Sequence, residues 1–194
     1  MDSPRIVLAS TSPYRHALLE RLRLPFEVRA PGVDETAEPG ESARDTALRL
    51  AQAKARAAAS KVPRALVIGC DQVAALDGLR LGKPGNHENA LAQLRAMRGR
   101  NVTFHTAVAL FNALSGSMQT AESPTTVSFR NYSDREIERY LELEQPYDCA
   151  GSARIEGLGI VLVERVTGDD PSALIGLPLM RLADMLRKEG VSIV

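Results

Sequence analysis

The chain has 194 residues, of which 44% are hydrophobic, and this length and composition favour a globular protein with one substantial core. Its 24 basic and 24 acidic residues cancel at pH 7 and form no basic run, which argues against a nucleic acid or an anionic membrane as the main partner. No segment approaches the roughly 20 apolar residues of a membrane helix, and the start lacks a signal-peptide pattern. We therefore expect a cytoplasmic protein whose residues 1–194 form a single domain.

The cysteines and histidines do not indicate a zinc site. Cys70 and Cys149 lack the spacing of a zinc motif or of a disulfide framework. His16, His87 and His105 lie far apart in the sequence. A metal would therefore bind to carboxylates, as Mg²⁺ and Mn²⁺ do, and such a metal suits chemistry on phosphates.

The N-terminal segment passes from an apolar strand into a helix. The first strand is predicted at Arg5–Ala9 and the first helix at Pro13–Leu22. Ser12 suits the N-cap and the proline after it suits the first helical position, so the free N–H groups of the first turn could bind an anion. Arg15 could add a bidentate contact to the same anion. An ordinary capped helix is the alternative, which this segment alone does not exclude.

The rest of the chain alternates helical and strand patterns without an internal repeat or a linker. The further elements are predicted, in chain order, as a loop at Pro31–Glu41, a helix capped by Ser42 and reaching Ala59, a short buried strand at Ala65–Gly69, a hairpin at Val73–Leu81, a helix at Glu88–Met97, antiparallel strands at Val102–Leu114 and Met118–Phe129, a helix opened by Ser133 and reaching Leu143, a strand at Ile160–Val166 and a helix at Pro178–Arg187. This order predicts one α/β unit with a mixed sheet.

Polar residues recur at the ends of the predicted elements, where binding and catalytic sites are usually built. Besides the first helical turn they include Ser10, Glu35, Lys54, Asp71 and Lys83. Carboxylates can hold divalent cations, and basic side chains can neutralise phosphates, so the set suits phosphoryl or nucleotidyl transfer. Taken singly, Glu35 fits an exposed loop acid and Lys54 an exposed helix lysine. Asp71 is a stronger candidate, because it directly follows an apolar strand.

The chain contains, in this order, the motifs LASTSPYR, VDET, LAQAKA, GCDQV, LGKP, HTAVAL, CAGSARIEGLG and IGLPL. In order and spacing they resemble the motifs of the Maf family of nucleoside triphosphate pyrophosphatases, and they cover nearly the whole chain. The resemblance implies a mixed α/β fold like that of inosine triphosphatases, with two lobes around a nucleotide cleft. It also implies metal-dependent hydrolysis between the α and β phosphates, which releases a nucleoside monophosphate and pyrophosphate.

The resemblance assigns five residues to the substrate. Ser10, Ser12 and Arg15 would bind the triphosphate, and Lys54 and Lys83 would complete the basic lining. These cations would balance the charge that grows on the leaving pyrophosphate. The family also allows a homodimer, on which the composition is silent.

The same resemblance implies roles for the carboxylates and for three residues near the base. Glu35 would hold a divalent metal such as Mg²⁺, Mn²⁺ or Co²⁺, and Asp71 would accept the proton of the attacking water while contacting that metal. Tyr14, Gln72 and Glu156 stand where the branch similar to dTTP and UTP pyrophosphatases has arginine, threonine and glutamine. The set is similar to the branch that acts on 7-methyl-GTP, although tryptophan is more usual in place of Tyr14.

A guanine base suits these residues on chemical grounds as well. Glu156 can accept hydrogen bonds from N1 and from the exocyclic amino group of guanine, whereas thymine and uracil would set a carbonyl against it. Methylation at N7 makes the purine cationic, which favours stacking on Tyr14. We therefore expect hydrolysis of 7-methyl-GTP. The alternatives are a pyrophosphatase for dTTP, UTP or another modified nucleotide and, in a different class, a nucleotide-binding regulator of septum formation.

Overall fold

One mixed β-sheet runs through residues 4–194, the part of the chain that the computed structural model describes. The strands of this region are β1 (Arg5–Leu8), β2 (Glu27–Val28), β3 (Ala65–Leu76), β4 (Leu79–Leu81), β5 (Asn101–Asn112), β6 (Met118–Phe129) and β7 (Val163–Gly168). Their order in the sheet is β2-β1-β3-β5-β6-β7, and β4 pairs with β3 outside this order. β1 is parallel to β2 and β3, and the other pairs are antiparallel. The predicted mixed α/β fold is thus confirmed.

The helices flank this sheet. In the described chain they are α1 (Pro13–Glu20), α2 (Ala43–Ala59), α3 (His87–Met97), α4 (Asp134–Glu144) and α5 (Leu179–Lys188). Ser12, Ser42 and Ser133 cap their helices as predicted, since each hydroxyl accepts a backbone N–H of the first turn. None of the helices within residues 4–194 has the length and apolar character needed to cross a membrane.

The strand around Asp71 is longer than predicted. β3 is continuous, so the predicted short strand at Ala65–Gly69 and the first arm of the predicted hairpin are one element. The reason is that β5 pairs with β3 along almost its whole length. The hairpin turn itself is confirmed, because Asp77 and Gly78 both have positive φ, as a type I′ turn requires. Asp71 therefore lies in the middle of a strand, and its predicted place at a strand end is wrong.

Two other strand predictions also need correction. The predicted strand at Ile160–Val166 begins later, because residues 158–162 form a 3₁₀-helix. The Gly159 N–H donates to the Arg154 carbonyl at 2.9 Å and folds this segment back on itself. The short strand β2 was not predicted, since two residues carry no periodic pattern.

One edge of β3 is open between its two neighbours. β1 pairs with β3 as far as Ile68, and β4 pairs with it from Ala74 onward. Residues 69–73 therefore face a cleft along this edge, while β5 holds their other edge. Asp71 and Gln72 reach the cleft from the middle of a rigid strand.

Two hydrophobic cores lie on one face of the sheet, and they give the molecule its two lobes. One core packs α3 and α4 against the sheet and includes Leu94 and Phe129. The other packs α1 and α5 against the sheet and includes Leu19 and Leu186. β3 and β5 pass through both cores and join the lobes.

On the opposite face, α2 packs closely against β3. Its contact side consists of alanines, Ala47, Ala51 and Ala55. A Cβ at Gly69 would lie 2.6 Å from the Ala55 nitrogen and closer still to the Ala51 carbonyl oxygen. Only glycine permits this approach, which brings Lys54 of α2 to the open edge of β3.

Replacing Gly69 with alanine is expected to lower the free energy of unfolding by about 2–3 kcal/mol, because α2 must move away from the sheet. Urea denaturation followed by circular dichroism measures this change. Gly82→Ala is the control, since an added Cβ there meets no atom within 4 Å. Equal stability of the two variants would contradict the packing argument.

Candidate active site

A cavity of about 820 Å³ opens between the two lobes, along the open edge of β3. It contains every residue that the sequence predicted for the site. These are Ser10, Ser12, Tyr14, Arg15, Glu35, Lys54, Asp71, Gln72, Lys83 and Glu156. Segments far apart in the sequence thus meet around one space, and the individual roles of these residues stay predictions.

Lys54 bridges two carboxylates in this cavity. Its Nζ lies 2.6 Å from Glu35 Oε1 and 2.6 Å from Asp71 Oδ1. Lys54 and Asp71 are only 4% and 6% exposed, whereas Glu35 lies on an exposed loop. The alternative interpretation of Lys54 as an exposed helix lysine is therefore wrong. A buried ammonium needs compensating charge, and the two carboxylates supply it.

The two carboxyl groups differ in their pKa values. Burial raises the pKa of Asp71 above its ordinary value, against the opposing charges of Lys54 and Arg15. Burial also acts to raise the pKa of Glu35, but the Lys54 hydrogen bond and the charges of Lys83 and Arg15 outweigh it and lower that pKa. The pKa shift of Asp71 is thus toward holding a proton and that of Glu35 is toward losing one, and the direction at Asp71 suits a group that accepts a proton.

The donor set of this site fits a hard divalent cation. Glu35 and Asp71 both contact the Lys54 ammonium, which places two carboxylates next to each other at the cavity wall. Within residues 4–194, no group of three or more His, Cys, Asp or Glu side chains is placed to bind a metal. One or two carboxylates are the usual protein ligands of Mg²⁺, and substrate phosphates and water provide the others.

The start of α1 forms the side of the cavity that was predicted to bind an anion. The buried Ser10 hydroxyl accepts the Ser12 N–H at 3.1 Å, and the Ser12 hydroxyl accepts the Arg15 N–H at 3.4 Å. Arg15 Nε donates to the Gly176 carbonyl at 3.0 Å, which fixes the guanidinium at the cavity wall. Lys83 lies exposed on the loop after β4. These groups surround the space with positive charge and N–H donors.

Arg49 of α2 holds the loop that carries Glu35. Its Nε and Nη2 donate to the Glu41 carboxylate at 2.6 and 2.8 Å, and Nη2 also donates to the Thr36 carbonyl at 3.1 Å. Arg80 Nη1 donates to the Glu41 carbonyl at 2.8 Å. These contacts could not be predicted from the sequence, because a loop acid and a helix arginine form no local motif. These contacts hold the loop in place, and Glu35 with it.

Tyr14 and Glu156 line the same cavity, and both lie near Arg154. The Arg154 guanidinium is 5.7 Å from the centre of the Tyr14 ring, and it donates to Glu144 at 2.9 Å and to Asp148 at 3.2 Å. Burial raises the pKa of Glu156, and the Arg154 charge opposes this effect. Arg154 was not identified from the sequence. It fixes the ring that was predicted to stack on a base.

The side chain of Gln72 is anchored on its amide nitrogen. Its two hydrogens are shared among three acceptors around Nε2, which are Thr106 Oγ1 at 2.9 Å, the Ala173 carbonyl at 3.1 Å and the Leu174 carbonyl at 3.0 Å. The residue still lines the cavity. Its orientation is therefore set by the protein before any ligand binds.

Comparison with known proteins identifies the family. The model of a family described as Maf-like protein matches residues 5–189. The chain belongs to the Maf family. The resemblance seen in its motifs is thus confirmed.

Several relatives in the Maf family are similar over nearly their whole length. A 7-methyl-GTP pyrophosphatase of Methylobacillus flagellatus is 59% identical over 98% of this chain and 100% of its own. Proteins of the same name from Thiobacillus denitrificans and Polaromonas sp. are 59% and 60% identical, over 99% and 97% of this chain and 96% and 86% of theirs. Among solved structures, the Staphylococcus aureus Ham1 protein matches with a TM-score of 0.47 and 16% identity, over 66% of this chain and 72% of that one.

The contact between Arg49 and Glu41 predicts a pH dependence of stability for this Maf protein. The Arg49 fork lowers the pKa of Glu41 from 4.5 to about 2. A carboxyl group whose pKa is lowered by folding stabilises the folded protein at pH values above the pKa that the group has in the unfolded chain. This contribution is lost as the pH falls to the pKa of the folded state. We expect the wild type to exceed Glu41→Gln in stability near neutral pH, and the difference to shrink between pH 4.5 and about 2.

Denaturant unfolding at a series of pH values measures this difference. Glu142→Gln is the matched control, because the Glu142 carboxylate pairs with Arg139 on the surface of α4. Its effect should be small throughout, as is usual for surface pairs. A Glu41→Gln effect that stays constant over the whole pH range would contradict the lowered pKa.

Proposed function

We propose that this protein hydrolyses 7-methyl-GTP to 7-methyl-GMP and pyrophosphate. The observation that carries the reaction is the pair of carboxylates, Glu35 and Asp71, held together by Lys54 in a cavity with further cations. The names of the relatives support the substrate. We also propose that residues 1–194 act as one domain, because both lobes share β3 and β5. A cytoplasmic location and a homodimer stay predictions.

Asp71 takes the proton of the attacking water in this proposal. Burial raises its pKa, which favours uptake of a proton, and Lys54 keeps its oxygen in a fixed position. As the water oxygen bonds to the α phosphorus, its proton passes to Asp71. The bond from the α phosphorus to the oxygen bridging to the β phosphate breaks, and pyrophosphate leaves.

Glu35 and Asp71 would hold a divalent cation such as Mg²⁺, Mn²⁺ or Co²⁺, which when bound lowers the pKa of water and offsets phosphate charge. Arg15 and Lys83 bind the phosphates that depart, and their charges balance the negative charge that grows there. Ser10 and Ser12 add hydroxyl donors at the start of α1. In this proposal the basic residues of the cavity contact the phosphates, and the two carboxylates contact the metal and the attacking water.

The base is recognised by Glu156 and Tyr14. Glu156 accepts hydrogen bonds from N1 and the exocyclic amino group of guanine, and Tyr14 stacks on the cationic ring of 7-methylguanine. A dTTP or UTP pyrophosphatase is disfavoured, because the pyrimidine carbonyls would face the Glu156 carboxylate. A regulator that only binds nucleotide would have no use for a buried base such as Asp71.

Pyrophosphate release by the purified protein tests the function directly. In the presence of Mg²⁺, Mn²⁺ or Co²⁺, 7-methyl-GTP should show the highest kcat/KM in a panel with GTP, dTTP and UTP. GTP should be about 2- to 30-fold poorer, because it lacks the cationic base that stacks on Tyr14. A preference for dTTP or UTP would refute the proposed substrate, and release of inorganic phosphate in place of pyrophosphate would refute the proposed reaction.

Asp71→Asn should lower kcat by about 10²- to 10⁴-fold, because the amide cannot accept the proton of water. Binding of 7-methyl-GTP should change little, since the phosphate and base contacts remain. Steady-state kinetics and calorimetry measure the two quantities. Asp184→Asn, on the surface of α5, is the control and should behave as the wild type. Near-normal turnover by Asp71→Asn would show that another group accepts the proton.

A further inference from the structure

A polar strip separates the two cores on one face of the sheet. Gln72 and Thr106 are direct partners across β3 and β5. Phe104 lies two residues before Thr106 in β5, and Val108 lies two residues after it. Phe104 belongs to one core and Val108 to the other. Gln72 and Thr106 therefore lie on the boundary between the lobes, where the cavity opens.

A segment called the strap, residues 173–177, crosses this strip. Leu174 packs against the core that contains α3 and α4, and Leu177 belongs to the core that contains α1 and α5. The Gly176 carbonyl accepts a hydrogen bond from Arg15, and Leu174 and Gly176 also line the cavity. The strap thus forms a wall of the site and is attached to both lobes.

The hydrogen bonds to the strap determine which way the Gln72 carboxamide points. The Ala173 and Leu174 carbonyls can only accept, and Thr106 donates its single hydroxyl hydrogen to Ala173 at 3.0 Å, so its oxygen must accept as well. The group of Gln72 that faces these three oxygens is therefore its NH₂.

The carboxamide oxygen of Gln72 is thereby left for the cavity. Within residues 4–194 no group donates a hydrogen bond to Oε1, and this oxygen is not among the buried polar atoms without a partner. Gln72 is half-buried and lines the cavity. The residue presents an acceptor there and cannot turn to present a donor without losing its contacts to the strap.

We propose that Thr106 is a positioning residue, which holds the Gln72 carboxamide so that its Oε1 accepts a hydrogen bond from the exocyclic amino group of guanine. The inference rests on the proposed function, in which Glu156 binds N1 and one hydrogen of that amino group. The second amino hydrogen then needs an acceptor, which Gln72 provides. Hypoxanthine lacks the amino group, so Gln72 and Thr106 select guanine against it.

The test compares kcat/KM for 7-methyl-GTP and 7-methyl-ITP, two substrates that differ only in the amino group. Thr106→Val should lower the ratio of the two values about 2- to 10-fold, mainly through slower use of 7-methyl-GTP. Thr106→Ser keeps the hydroxyl and should restore the ratio. Thr103→Val, on the opposite face of β5, should leave it unchanged. Equal losses on both substrates in Thr106→Val would mean a merely structural role and would overturn the inference.

Calorimetry of 7-methyl-GMP and 7-methyl-IMP binding separates this inference from the proposed function. The wild type should bind the guanine nucleotide more tightly, and Thr106→Val should narrow the difference. Equal affinities in the wild type would overturn the inference even if 7-methyl-GTP is hydrolysed. If the wild type binds 7-methyl-GMP more tightly than 7-methyl-IMP but does not hydrolyse 7-methyl-GTP, the inference is supported and the proposed reaction is refuted.

Discussion

The close packing of α2 on β3 at Gly69 is the constraint on which the site depends. It lets the helix approach the sheet backbone, and it places Lys54 inside the protein beside Asp71. A buried lysine and a buried aspartate are each costly alone, and their contact offsets much of that cost. Both sit on rigid elements, whereas Glu35 arrives on a loop that Arg49 secures. The charged centre is therefore organised by the scaffold before substrate binds.

The open edge of β3 explains how one strand serves two tasks. Neighbouring residues of a strand point to opposite faces of the sheet. Asp71 accordingly meets Lys54 on the α2 face, while Gln72 meets Thr106 and the strap on the other face. Because β1 and β4 leave this stretch uncovered, both side chains line the same cavity. The residues proposed for proton transfer and for base selection are thus adjacent in the chain.

The predictions that succeeded from the sequence are those that depend on local chemistry. Helix starts at Ser12, Ser42 and Ser133 were predicted correctly because a capping hydroxyl acts within one turn. The residues of the cavity were found through motifs whose spacing is characteristic of the family. The place of Asp71 within its strand was predicted wrongly, because the length of β3 depends on how far β5 pairs with it. The contacts of Arg154 and Thr106 join distant segments, and no sequence pattern reports them.

The strap connects Arg15 and Gln72 through a few atoms. The Gly176 carbonyl orients Arg15, which is proposed to bind the phosphates, and the Leu174 carbonyl, two residues earlier, orients Gln72, which is proposed to contact the base. The chain passes from one contact to the other through a φ of +125° at Gly176, a conformation that favours glycine. A shift of the strap would therefore move an arginine and a carboxamide together. Because rates depend steeply on the alignment of the reacting groups, a base that fits poorly is expected to impair chemistry at the phosphates as well as binding.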